Sequence, residues 1–164
     1  VMGLDMYLSK RTYVKNWNHQ KDEEKHKVNV KLGGKSRKDI KSKRISYITE
    51  EIGYWRKANQ IHNWFVQNTQ EGRDECQESY VSKKQLVELR DLCKEVLKYK
   101  NDDFNNDNLP TASGFFFGGT EYDEYFYGDC EDTIKILNGI IKEEEVVSNT
   151  EGLYSGEYYY QASW

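Results

Sequence analysis

The sequence predicts an α+β fold: a small antiparallel or mixed sheet covered by two or three helices. Three observations lead there. Apolar and polar residues alternate with period two near both ends of the chain, helical periodicity fills the middle, and 164 residues suit one domain. Apolar content is only 37%, but 13 Tyr and 4 Trp supply large rings, so a few of them can fill a core.

Residues 4–13 read as a strand with Leu4, Met6 and Leu8 on one face. Residues 14–26 are polar and read as a loop. Lys27 to Leu32 alternates strictly, which predicts a second, half-buried strand ended by Gly33-Gly34. Lys35 to Arg44 is a basic connector, and Arg44 to Ile48 is a third strand or an extended approach to the first helix.

That helix is expected over about 54–68, with Tyr54, Trp55, Ala58, Ile61, His62 and Phe65 on its apolar face. Trp64 falls roughly 110° from the centre of that stripe and is expected to be partly exposed. After a polar loop at 69–79, Ser82 with Gln85 makes a capping-box signature for a helix over 83–99. Its buried face is Leu86, Leu89, Cys93, Val96 and Leu97. Asn101 to Asn108 and Pro110 form the clearest break in the chain. Ser113 to Gly119 reads as a buried extended stretch with a tight turn. Thr120 with Asp123 can then cap a third helix carrying Tyr122, Phe126, Cys130, Ile134, Leu137 and Ile141, with a break expected near Asp129 because of Gly128. A hairpin through Gly118-Gly119 is the competing reading. Glu157 to Trp164 is strand-like, either a core strand or an exposed edge, and a neighbour of the N-terminal strand.

Composition excludes several classes. The apolar runs are far shorter than the roughly 20 residues that cross a bilayer, so no membrane role is expected. Met2 to Met6 lacks the parts of a secretory signal, and Tyr7 stands where a myristoylation pattern needs Ser or Thr. Cys76, Cys93 and Cys130 form no C-x-x-C pair, which fits a reducing cytosol. No P-loop or metal-ligand spacing occurs, and no cofactor or metal is expected. The charge is uneven: residues 25–44 carry nine Lys/Arg against Asp39 alone, while Lys135 and Lys142 are the only basic residues after 100. The basic connector lacks interleaved aromatics and the overall pI is near 5.5, so a solvated loop is preferred over a nucleic-acid contact.

Three segments, MGLDMYL from Met2, EIGYWRKANQIHNWF (51–65) and SGFFFGGTEYDEY (113–125), together resemble a family of small proteins of bacteriophages and prophages. The likeness is strongest from 51 to about 137, whereas 14–49 and the tail after about 143 look peculiar to this chain. The family brings no assigned catalytic residues. The resemblance implies an accessory phage protein in the host bacterial cytoplasm, acting against host physiology or immunity by blocking a host protein or sequestering a small nucleotide signal.

The candidate residues follow from their chemistry. His62 is either a general base or ligand contact oriented by Glu51 or Asn59, or a packed histidine with one partner. Phe115, Phe116 and Phe117 with Tyr122 and Tyr125 offer an aromatic wall for a base or a partner's side chain, or the three phenylalanines are simply core. Gly118-Gly119-Thr120 could present backbone N–H groups to an anion, but Glu121, Asp123 and Glu124 occupy the same turn. Arg56 and Lys57 near Trp64 make a cationic, aromatic face. The expected ligand-binding set is Arg56, Lys57, Asn59, His62, Phe115, Phe116, Phe117, Thr120 and Tyr122, with Trp64 a partner-binding residue and no catalytic residue assigned. The first functional reading is a protein that sequesters a nucleotide-derived ligand. The second is an inhibitor of a host protein, and the third an enzyme using His62. A homo-oligomer is compatible with each.

Overall fold

The computed structural model describes residues 3–114, 116–149 and 156–164, with the side chains of all of these except 147–149. The α+β reading holds. Strands β1 (Asp5–Tyr13), β4 (Tyr47–Arg56), β5 (Ser79–Val81) and β6 (Glu157–Ser163) form one antiparallel sheet in the order β4-β1-β6-β5. Helices α1 (Asn59–Thr69), α2 (Lys83–Tyr99), α3 (Asp102–Asn108) and α4 (Glu124–Asn149) supply the other layer. No helix among the described residues is long and apolar enough to cross a membrane.

Alternation decides which way each strand faces. Leu4, Met6 and Leu8 are buried as expected, and Tyr158, Tyr160 and Ala162 of β6 join them from the next strand. The terminal strands are neighbours, and β6 is a central strand, bonded to β1 on one side and β5 on the other.

The first expected helix begins too early in the sequence reading. Residues 47–56 instead pair with β1 along its whole length. Trp55 points inward under either period, so it could not discriminate. Tyr54 does: a helix buries it, whereas the strand turns it outward, and it is 44% exposed. Gly53 lets α4 approach the sheet, since a Cβ there would stand 3.0 Å from the Ile136 Cγ2.

Lys57, with φ of +56°, ends the strand, and α1 starts two residues later. Trp64 is 8% exposed, not open to solvent, and its ring meets Phe65 edge-on at 5.3 Å. Helix α1 touches both α4 and β5, so cover comes from two sides and the apolar stripe is wider than one face.

Helix α2 matches its expected bounds, with Ser82 Oγ accepting from the Gln85 amide at 3.1 Å and the Gln85 side chain accepting from the Ser82 amide at 3.0 Å. The Asn/Asp stretch expected as a break is helix α3, capped by the Asn101 side chain. Asp123, not Thr120, caps α4: one carboxylate oxygen accepts from the amides of Tyr125 and Phe126, each at 3.1 Å. The helix passes through Gly128 without the expected break. The glycine cost of up to roughly 1 kcal/mol is outweighed by burial of Phe126, Cys130, Leu137 and Ile141. No strand forms among the described residues of 111–123, so the hairpin alternative is not realised.

Residues 14–46 make an arm between β1 and β4. The half-buried strand expected at 27–32 shrinks to β2 (Lys31–Leu32), paired only with β3 (Lys35–Ser36) across Gly33-Gly34. No core lies beneath it, and Leu32 is 68% exposed.

Burial of Trp64 sets a test. Trp64→Ala should cost about 3–5 kcal/mol in urea unfolding, whereas loss of an exposed ring would cost about 0.5 kcal/mol or less.

Candidate functional site

A recess of about 430 Å³ opens where β4 turns into α1. Arg56 closes the strand and pairs with Asp5 at 2.9 Å. Lys57 is exposed at the mouth, its amide donating to the Leu4 carbonyl at 2.8 Å. The next helical residues are buried amides. Asn59 Nδ2 donates to the carbonyls of Phe117 (3.0 Å) and Gly119 (2.8 Å), and its Oδ1 accepts from the Ala112 amide at 3.1 Å. One side chain therefore ties the 112–119 loop to the start of α1. Gln60 does the same for α4, donating to the Phe126 carbonyl at 2.9 Å. Gly118 adopts φ of +86°, a left-handed conformation that favours glycine.

Glu121, Asp123 and Asp129 also line the recess, as do Phe126 and Tyr125, the latter 75% exposed. Burial pushes the Asp129 carboxyl up to about 7, helped by the neighbouring Asp132 and Asp123 and opposed by a hydrogen bond from Gln60. Near neutral pH this group is divided between donor and acceptor forms. Two cations and three acids thus line a space large enough for a small polar molecule.

Of the expected ligand set, Arg56, Lys57 and Asn59 line this recess, whereas His62, Phe116, Phe117, Thr120 and Tyr122 do not. Phe115 lies outside the described residues. Phe117 is core, while Phe116 sits at φ of +61° with its ring half-exposed. Tyr122 packs edge-on against Phe126 at 4.9 Å, and the Thr120 carbonyl accepts from Thr111 Oγ1 at 2.8 Å. Of the aromatic wall's described residues, Phe116, Phe117 and Tyr122 lie outside the recess and Tyr125 lines it, together with Phe126. Trp64 is in the core and offers no surface.

His62 is fully enclosed, between partners that its neighbours in sequence do not suggest. Its Nδ1 lies 2.6 Å from the Tyr160 hydroxyl and its Nε2 2.9 Å from Asp74 Oδ1. An ionised Asp74 can only accept, so Nε2 carries the proton and the Tyr160 hydroxyl donates to Nδ1. Trp164 Nε1 also donates to Asp74 Oδ1, at 3.0 Å. Neither Glu51 nor Asn59 orients the ring: Glu51 is exposed on β4, and Asn59 is committed to the loop. His62 is the packed histidine of the sequence reading, with two partners instead of one.

Sequence reasoning missed Gln60, Thr111, Glu121, Asp123, Phe126 and Asp129 as lining, whereas Tyr125 was expected in the aromatic wall. The glycine pair had marked the loop, but only the fold brings Asp129 to it. The chain matches no protein-family model, no curated protein and no solved structure.

Because its folded carboxyl titrates above the unfolded value, Asp129 favours the folded state at acidic pH, and that contribution is lost as pH rises toward 7. Asp129→Asn should therefore raise Tm most at pH 8, by about 3 °C or more, less at pH 5, where the unfolded carboxyl is ionised but the folded one is neutral, and least below about pH 4, where both are neutral. A gain of equal size at both pH values, read by calorimetry, would contradict the shifted titration.

Proposed function

We propose that this chain is a binding protein that holds a small nucleotide-derived ligand in the recess at the β4–α1 junction. The observation that carries the reading is the polarity of that recess. Arg56 and Lys57 line it together with Glu121, Asp123 and Asp129 and the open ring of Tyr125. A nucleotide has the complementary layout. Its phosphate is anionic, its base presents amino and imino donors suited to carboxylates, and the base face stacks on a phenol.

The lining contains no histidine, cysteine or serine, and the one buried histidine is closed off by Tyr160 and Asp74. That favours holding a ligand over transforming it. Blocking of a host protein rested on Trp64, the split charge pattern and the phage-like resemblance, and the fold buries Trp64. For a phage accessory protein of the resembled kind, the consequence would be removal of a host signal from the bacterial cytoplasm, an anti-defence role.

Purified protein incubated with lysate from phage-infected bacteria, washed and denatured, should release an unmodified nucleotide, identified by mass spectrometry at about one per chain. Titration calorimetry with that nucleotide should then show Lys57→Ala weakening binding by about tenfold, the worth of one charge-assisted phosphate contact. Release of a host polypeptide with no small molecule would refute the reading.

A further inference from the structure

The outer face of the sheet, opposite the helices, is covered by nothing among the described residues. Its outward side chains are exposed or partly exposed, whereas Leu4, Met6, Leu8, Tyr158, Tyr160 and Ala162 on the other face are buried in the core. Three pairs of tyrosines lie on that face, each pair in ring contact across neighbouring strands. Tyr7 meets Tyr54 at 5.4 Å, Tyr80 meets Tyr159 at 6.0 Å, and Tyr13 meets Tyr47 at 5.0 Å. The Arg11 guanidinium lies 4.1 Å over the Tyr159 ring. Carboxylates are present, but those beside the rings are already engaged. Asp5 holds Arg56 and the Tyr54 hydroxyl, Glu78 pairs with Arg11 at 3.0 Å, and Glu157 accepts from Tyr159 at 2.8 Å. Glu51, also outward by register, adds one more negative charge.

The arm of residues 14–46 leaves the sheet at its Tyr13/Tyr47 end, where the Val14 amide bonds the Ser46 carbonyl at 2.9 Å. It carries the basic run of 25–44. In sequence that run lacks aromatics, which argued against a nucleic acid. In space Trp17, 53% exposed, shares a recess of about 420 Å³ with Lys25 and Lys43. Open rings on a four-stranded sheet thus continue into an arm where a ring sits among ammonium groups.

We infer that this surface is a platform for single-stranded nucleic acid, with bases stacking on the tyrosines and the phosphate backbone drawn along the arm. Stacking needs a flat ring and no base identity, so the binding is tolerant of sequence. A duplex keeps its bases paired and offers only phosphates. This site is separate from the β4–α1 recess, and neither reading depends on the other.

The test is fluorescence anisotropy of the intact protein with labelled oligothymidylate and oligouridylate of about ten nucleotides, and with a duplex of similar length. Both single strands should bind more tightly than the duplex, and any preference between the two reports on the 2′-hydroxyl. Tyr54→Ala and Tyr80→Ala should each weaken binding about tenfold, while Tyr54→Phe and Tyr80→Phe retain it. Replacing Lys25 and Lys43 by Gln should flatten the logarithmic salt dependence by about two. The proposal is overturned if neither strand binds at about 100 μM protein, weaker than ordinary non-specific binding. It is also overturned if the duplex binds as well and the alanine variants behave as wild type, which makes the contact arm charge alone. Ring-dependent dimerisation in light scattering, without strand binding, assigns the face to a second copy.

Discussion

A phenol hydroxyl carried into an apolar core must bring a hydrogen-bond partner with it, because leaving it unpaired costs about 1–3 kcal/mol. Tyr160 sets that constraint here. It lies on the central strand β6 with no exposed surface, its ring stacked on Phe65 at 3.9 Å and its hydroxyl 2.6 Å from His62 Nδ1. His62 must then satisfy its second nitrogen, and Asp74 does so from the segment that follows α1. Asp74 in turn takes the indole N–H of Trp164. Four residues from three parts of the chain are locked by one requirement, and α1 loses its freedom to slide or rotate.

The fixed helix is what gives the recess its shape. The 111–119 loop has no regular structure among its described residues, so its placement rests on bonds from elsewhere. Asn59 supplies three of them through both ends of one amide. Gln60, on the next residue of α1, reaches the first turn of α4. Both amides are buried, so their bonds are not traded for water and hold the loop and helix at set distances. The cations at 56 and 57 follow in the same chain segment. The recess is thus a by-product of where α1 begins, and α1 begins where the clamp on His62 holds it.

The strands at the two ends and helix α2 were legible because each follows one period with clear punctuation. Leu4-Met6-Leu8 alternates, and Ser82-x-x-Gln85 states a helix start in chemical terms. Residues 54–58 were misread because Trp55 and Ala58 satisfy a helical stripe and also suit a strand and the turn after it. Only pairing with β1, a contact about fifty residues away, decides between them. Trp64 was misplaced for a related reason: a moment argument assumes one buried face, and α1 is covered on two. The cationic half of the recess was visible as adjacent residues in sequence. Of the acids, Glu121 and Asp123 were visible beside the glycine loop, but Asp129 was not, because it acquires its raised carboxyl from burial and from Asp123 and Asp132, which are consequences of packing. The tyrosine face was likewise invisible, since its rings come from four strands.

Arg56 belongs to both surfaces. It lines the recess, and it also pairs with Asp5, which accepts the Tyr54 hydroxyl on the outer face. These bonds are partly exposed, so each alone contributes little to stability and either can be exchanged for a stronger one. A phosphate bound in the recess would compete with Asp5 for the guanidinium. Were Arg56 drawn away, Asp5 would keep only the tyrosine hydroxyl, leaving an un-neutralised charge beside the Tyr54 ring. A filled recess would then make the adjoining end of the tyrosine face less favourable to a polyanion. Coupling of this kind is reciprocal, so occupation of the face would loosen the ligand in the recess by the same factor.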